Sequence, residues 1–190
     1  MRRPWSSLLS LLTLAVAVPV IAAEPAAAPA ATGFRADYVK LLAGVERELV
    51  SLEQAMPQDK FGWRPGPGVR SVGEVYLHAA GSVYFFLGKI GVPPPADLSP
   101  LLGGDKYEKQ TSNKDQIKTI LTRDIEFLRK AILNASDADL DGTVEFFGQQ
   151  MTRRALYMAL FGHLREHLGQ SIAYARVNGV VPPWSKKDKS

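Results

Sequence analysis

Four stretches of this chain place apolar residues every three or four positions, and proline- and glycine-rich breaks separate them. That pattern restricts the fold to packed amphipathic helices. Ile117, Leu121, Ile125, Leu128 and Ile132 form the cleanest stripe, with Asn113 or Ser112 placed to cap its first turn. Phe34, Tyr38, Leu41, Val45, Leu49 and Leu52 form another, in a helix that ends before Pro57. Between Pro65 and Gly68 the chain must turn, and Ser71-Val-Gly-Glu74 reads as a capping box opening a helix that runs to about Lys89. The Pro/Gly-rich run from Gly91 to Asp105 is a long crossover. The last helix spans about Thr152 to Val177 and stops at Asn178-Gly179, with Pro182 and Pro183 beyond.

The segment Asp137 to Gln150 reads as a loop, with an extended piece at Thr143 to Phe147 too short to build a sheet. The expected class is therefore all-α: a four-helix bundle of the antiparallel type with at least one long connection. Residues 33–183 suit one domain with a single core.

The N-terminus has a different composition. Arg2 and Arg3 precede an apolar run from Leu8 to Ala23 that closes on small residues, which marks residues 1–23 as a signal peptide. That run, interrupted by Pro19, is shorter than the ~20 residues of a membrane span. Glu24 to Thr32 is an Ala/Pro linker and residues 184–190 a charged tail. Cleavage removes Arg2 and Arg3 and leaves 21 basic residues against 19 acidic, a net charge of +2. Nucleic acid is not an expected partner at that charge. The expectation is a secreted or periplasmic protein with no stable membrane insertion after signal cleavage. With no cysteine, neither disulfides nor thiolate ligands are available, and the core must stabilise the exported fold.

Three histidines remain as candidate chemistry: His78, His163 and His167. On a helix, positions four apart stand one above the other, so His163 and His167 can address one ion. His78, 85 residues upstream of His163, joins them if it faces inward at matching height on its own helix. The stretch HLREH also fits the H-x-x-E-H pattern of inverzincin peptidases. That mechanism needs a downstream Glu ligand, and after His167 the only acidic residue is Asp188 in the tail. Glu166 is the candidate catalytic proton-transfer group, although its side chain leaves the helix about 100° from that of His167. Glu74, Gln170 and Tyr174 share helical phase with the histidines. Trp63 and Arg64 either line the mouth of a site or close the end of the bundle.

KFGWRPGPGVRSVGEVYLHAAG (residues 60–81) and ALYMALFGHLREHLGQSIAYARVNGVVPP (residues 155–183) resemble the DinB-like family of four-helix-bundle metalloproteins. The resemblance runs from about Phe34 to Pro183. It implies an up-down-down-up bundle and a metal triad of one His from the second helix and a His-x-x-x-His pair from the last, landing on His78, His163 and His167. Some members are thiol-dependent S-transferases that use bacillithiol or mycothiol, whereas this chain differs from the cytosolic members by its export signal.

Three imidazoles leave coordination positions open, as catalytic metal sites do. The expected cofactor is a divalent ion, zinc or nickel foremost, with iron or manganese also accepted by imidazole. The expected function is metal-dependent hydrolysis or group transfer on a small-molecule substrate, the alternative being a metal- or ligand-binding bundle without turnover. A homodimer is compatible with either.

Overall fold

The computed structural model describes residues 32–185. The signal peptide, all of the linker but Thr32, and the tail beyond Ser185 lie outside the described residues. Helix α1 spans Gly33–Ala55, α2 Val72–Lys89, α3 Lys114–Asn134, α4 Asp137–Asp141 and α5 Arg153–Val177. Two strands, β1 Thr143–Phe146 and β2 Gln149–Thr152, stand between α4 and α5. Among the described residues no helix is long and apolar enough to cross a membrane.

Local chemistry accounts for the helix starts. Ser71 and Glu74 form the full reciprocal capping box of α2. Asn113 accepts from the Gln116 amide at α3, and Thr152 from the Ala155 amide at α5. The α3 stripe is wholly buried, each of its five residues at 0 % exposure. In α1 the stripe differs by one position from the expected one. Leu42 is buried and Leu41 is 48 % exposed. At 3.6 residues per turn, positions 41 and 42 lie equally far from the mean direction of Tyr38, Val45, Leu49 and Leu52, and the burial of Glu53 turns the inward face toward Leu42.

The segment expected to be a loop is ordered instead. Ser136 and Asp139 make a second capping box that starts α4. β1 and β2 then pair antiparallel, with Thr143 opposite Thr152 and Phe146 opposite Gln149. The two-residue turn is Phe147-Gly148, with φ of 50° and 78°. Positive φ at both turn positions matches the twist of a hairpin, but Asn-Gly is the usual sequence for it, so Phe-Gly hid the turn.

The bundle topology follows from side-chain contacts. Arg35, at the start of α1, reaches the Ala135 carbonyl past the end of α3, while Lys114, at the start of α3, reaches the carbonyls of Gln54 and Met56 at the end of α1. These helices run antiparallel. Tyr38 meets Tyr157 and, further along both helices, Glu48 pairs with Arg165, so α1 and α5 run parallel. Tyr174 of α5 touches the Arg70 carbonyl before α2, and His163 touches Phe86 late in α2, so these two run antiparallel. Gly73 lies against Ile117 and Tyr84 against Asp124, which makes α2 and α3 parallel. The order is up-down-down-up, and the parallel α2–α3 pair requires the long connection between them.

Candidate metal centre

The antiparallel α2–α5 contact sets His78 level with the His163–His167 turn. Ring centroids stand 5.1 Å apart for His78 and His163, 4.5 Å for His78 and His167, and 4.4 Å for His163 and His167. One ligating nitrogen from each lies within 4.8 Å of the other two. Three nitrogens on one tetrahedral ion at ~2.0–2.1 Å are about 3.4 Å apart, a spacing within reach by rotation of the rings.

The hydrogen bonds around the rings fix their tautomers. Arg70 grips Glu108 as a fork, Nε to Oε2 at 2.7 Å and Nη2 to Oε1 at 3.0 Å, and His78 Nδ1 lies 2.6 Å from Glu108 Oε1. Burial acts to raise the Glu108 pKa, but the hydrogen bonds from Arg70 and His78 outweigh it and the carboxyl titrates below its ordinary range. An ionised carboxylate only accepts, so His78 Nδ1 carries a proton, and the neutral ring then has its lone pair on Nε2.

His167 is oriented by a longer relay. The Tyr174 hydroxyl donates to the Arg70 carbonyl at 3.2 Å and accepts from Gln170 Nε2 at 3.0 Å. The Gln170 amide therefore presents its oxygen to His167 Nδ1, 2.9 Å away, and Nε2 of that ring is again the unprotonated nitrogen. Arg70 thus serves both sides of the site, through its guanidinium on one and its carbonyl on the other.

His163 differs: its Nε2 is buried and has no hydrogen-bond partner. A buried polar atom left unpaired costs about 1–3 kcal/mol, and coordination to a cation removes that cost. Burial, reinforced by His167, His78 and Arg70, pushes the His163 pKa down to about 4. Burial also lowers that of His167. Both rings are neutral at pH 7, the form that ligates metals. The donor set, three imidazoles, fits a divalent cation.

The open side of the cluster faces a cavity of about 550 Å³ whose lining includes His78, His163, Glu108, Tyr84 and Tyr107. The two tyrosines form its back wall. Both donate to Asp124, which is fully buried and also accepts from Arg123 Nε at 2.8 Å. Gly81 permits this arrangement: a Cβ there would come within 2.6 Å of the Tyr107 ring. With Tyr107 close against α2 at Gly81, the next residue, Glu108, meets His78 one turn earlier on that helix.

Not every candidate from the sequence joins the centre. Glu166 is exposed on α5 and does not line the cavity, acting on His167 only through the field of its charge. Glu74 is the capping-box acid and pairs with Arg64 at 3.0 Å. Trp63 packs edge-on against Tyr174 at 5.3 Å, and Arg64 bonds the Val69 carbonyl, so both close the bundle end. The cavity mouth uses Leu102 and Gly104 from the crossover and Phe147 of the hairpin, and Trp63 is not part of its lining. Glu108 and Arg70 were not foreseen. They sit in connections, where no helical phase points at the histidines.

A four-helix bundle with a three-histidine cluster between its second and last long helices is the arrangement that the DinB-like resemblance implies. The DinB superfamily model matches residues 41–171, and the chain belongs to that superfamily. Solved structures agree in fold. A DinB-like protein from Bacillus cereus is 19 % identical, with TM-score 0.64 over 79 % of this chain and 93 % of its own. One from Bacillus subtilis is 18 % identical, with TM-score 0.60 over 80 % of this chain and 99 % of its own. A conserved protein from Enterococcus faecalis is 13 % identical, with TM-score 0.66 over 77 % of this chain and 98 % of its own. No curated protein matches the chain in sequence.

Proposed function

We propose that this chain is an exported metalloprotein that holds one divalent cation through His78, His163 and His167 and performs hydrolysis or group transfer on a small molecule. The observation that carries the reading is the buried, unpartnered Nε2 of His163 beside two rings held in the ligating tautomer. Among the described residues the clustered donors number three, with no fourth ligand to close the shell, as in catalytic rather than structural sites. When bound, a cation there supplies Lewis acidity toward a carbonyl, a thiol or water. Glu108 holds His78 in place and keeps its Nε2 electron-rich, and Gln170 does the same for His167. The cavity admits a small substrate, and the Tyr84–Tyr107–Asp124 wall bounds it away from the core. The proton-transfer role proposed for Glu166 would have to act from outside the cavity lining, where the one described carboxylate, Glu108, is committed to His78 and Arg70; Glu166→Gln tests it, and unchanged turnover removes the role.

That commitment also favours a second reading, a metal- or ligand-binding bundle without turnover. Metal analysis after loading with Zn²⁺ or Ni²⁺ should find one ion per chain, and His78→Ala, His163→Ala and His167→Ala should each lose it. Full occupancy in His78→Ala would sink the triad. An esterase, amidase and thiol-transfer screen of the loaded protein separates the two readings: metal-dependent turnover on any class supports the enzyme, and none supports the binding protein. Export rests on Arg2, Arg3 and the Leu8–Ala23 run, and N-terminal sequencing should find the mature chain starting near Glu24.

A further inference from the structure

Four phenylalanine rings lead away from the metal-ligating cluster. Phe86 packs on His163 with centroids 5.6 Å apart, Phe146 on Phe86 at 5.0 Å, and Phe147 on Phe146 at 4.4 Å. Phe85 flanks the far end, 6.2 Å from Phe147. The inner rings are buried, whereas Phe85 is 47 % and Phe147 81 % exposed. Phe85, Phe86 and Phe147 all line the cavity that opens on His78 and His163.

Phe147 is the informative member. Among the described residues it is the one non-glycine with positive φ, a backbone region that bulky side chains rarely occupy. The hairpin turn accounts for that φ, but it leaves the ring mostly in water at the rim of the cavity. An exposed aromatic ring at the mouth of a cavity is a surface on which an apolar ligand can pack. The polar lining sets the rest of the ligand's chemistry. None of the described lining residues is a lysine or an arginine, and the two nearby guanidiniums are engaged by Glu108 and Asp124. Within the cavity a polyanion such as a nucleotide would find no cation except the metal, and Lys89 at the rim is stacked over the Phe85 ring, 5.2 Å from its centroid.

We infer that the cavity binds a small molecule with a flat, uncharged aromatic body, clamped against Phe85 and Phe147 at its mouth, and a single donor head that reaches the three-histidine centre. This assignment rests on the metal-centre reading and specifies the substrate class of that same site. A cavity of about 550 Å³ is within the usual range for such ligands.

The test uses two hydroxamates with the same chelating head, benzohydroxamate and acetohydroxamate, titrated calorimetrically into the zinc-loaded protein, into Phe147→Ser and into Phe85→Ser. Phe147 is a surface residue, so its variant should keep the wild-type far-UV CD and zinc content. Burial of a phenyl in place of a methyl should make benzohydroxamate bind at least about tenfold more tightly to the wild type. That preference should fall to about threefold or less in the variants, with acetohydroxamate binding unchanged. Equal affinity of the two compounds in the wild type, or a preference that the variants leave intact, would overturn the clamp while leaving the metal centre standing. Zinc-independent binding, or binding of neither compound, would also overturn the clamp, and failure of the chain to take up zinc in the first place would overturn both.

Discussion

Replacing Glu108 by Gln isolates what the carboxylate does for the metal centre. The change keeps the shape of the side chain but removes its charge and one acceptor. In the wild type both carboxylate oxygens are engaged, Oε2 by Arg70 and Oε1 by Arg70 and His78 Nδ1. An amide has one acceptor oxygen and a donating NH₂. It can accept from His78 or from the Arg70 Nε, and its NH₂ then opposes the remaining donor. His78 loses either its orientation or the charge that makes Nε2 a strong ligand. Outer-shell substitutions of this kind cost about 10–100-fold in metal affinity, or roughly 1.4–2.7 kcal/mol. The fold should tolerate the change, because the Arg70–Glu108 pair is only partly buried and pairs of that kind contribute about 1 kcal/mol or less. The assay is competition for Zn²⁺ against a chromophoric chelator, with the Tm of the metal-free protein as the control for folding. Affinity should fall by at least about tenfold while the metal-free Tm moves by a few degrees. In Glu166→Gln the zinc affinity should change by about twofold or less, since that side chain meets none of the rings. Wild-type zinc affinity in Glu108→Gln would refute the assignment of Glu108 as the residue that positions His78.

The remaining expectations concern the frame around the site. Gly81→Ala places a methyl against the Tyr107 ring, so it should destabilise the protein by about 1–3 kcal/mol in urea titrations and weaken zinc binding as Glu108 is displaced. Gln170→Leu should remove the acceptor from His167 Nδ1 and lower zinc affinity by about tenfold, with Gln170→Glu restoring most of it. For the metal-free protein the pH dependence follows from His163. Its folded pKa, lowered by burial to about 4, is below that of an unfolded histidine, so between pH ~6.5 and ~4 the unfolded chain binds more protons than the native one. Its contribution is complete above pH ~6.5 and is lost as pH falls toward 4. The urea midpoint should drop over that window, and His163→Ala should flatten the drop.

The helices and the three histidines were legible because both depend on period. A buried stripe such as Ile117 to Ile132 repeats at the helical spacing, and His163 and His167 carry the same spacing. Even the slip from Leu42 to Leu41 was an error of phase within a correctly placed helix. The hairpin was not legible because four-residue strands carry almost no period and their turn lacks the usual Asn-Gly. Glu108 was hidden for a more general reason. It stands in the crossover that joins two parallel helices, and its position is set by a chain of contacts, from Gly81 to Tyr107 to Glu108, rather than by any spacing from the histidines. Parallel neighbours require a long connection, and this one lies across the face of α2 that carries His78. The topology that costs the chain an extended crossover is therefore also what delivers a carboxylate to the outer face of a metal-ligating imidazole.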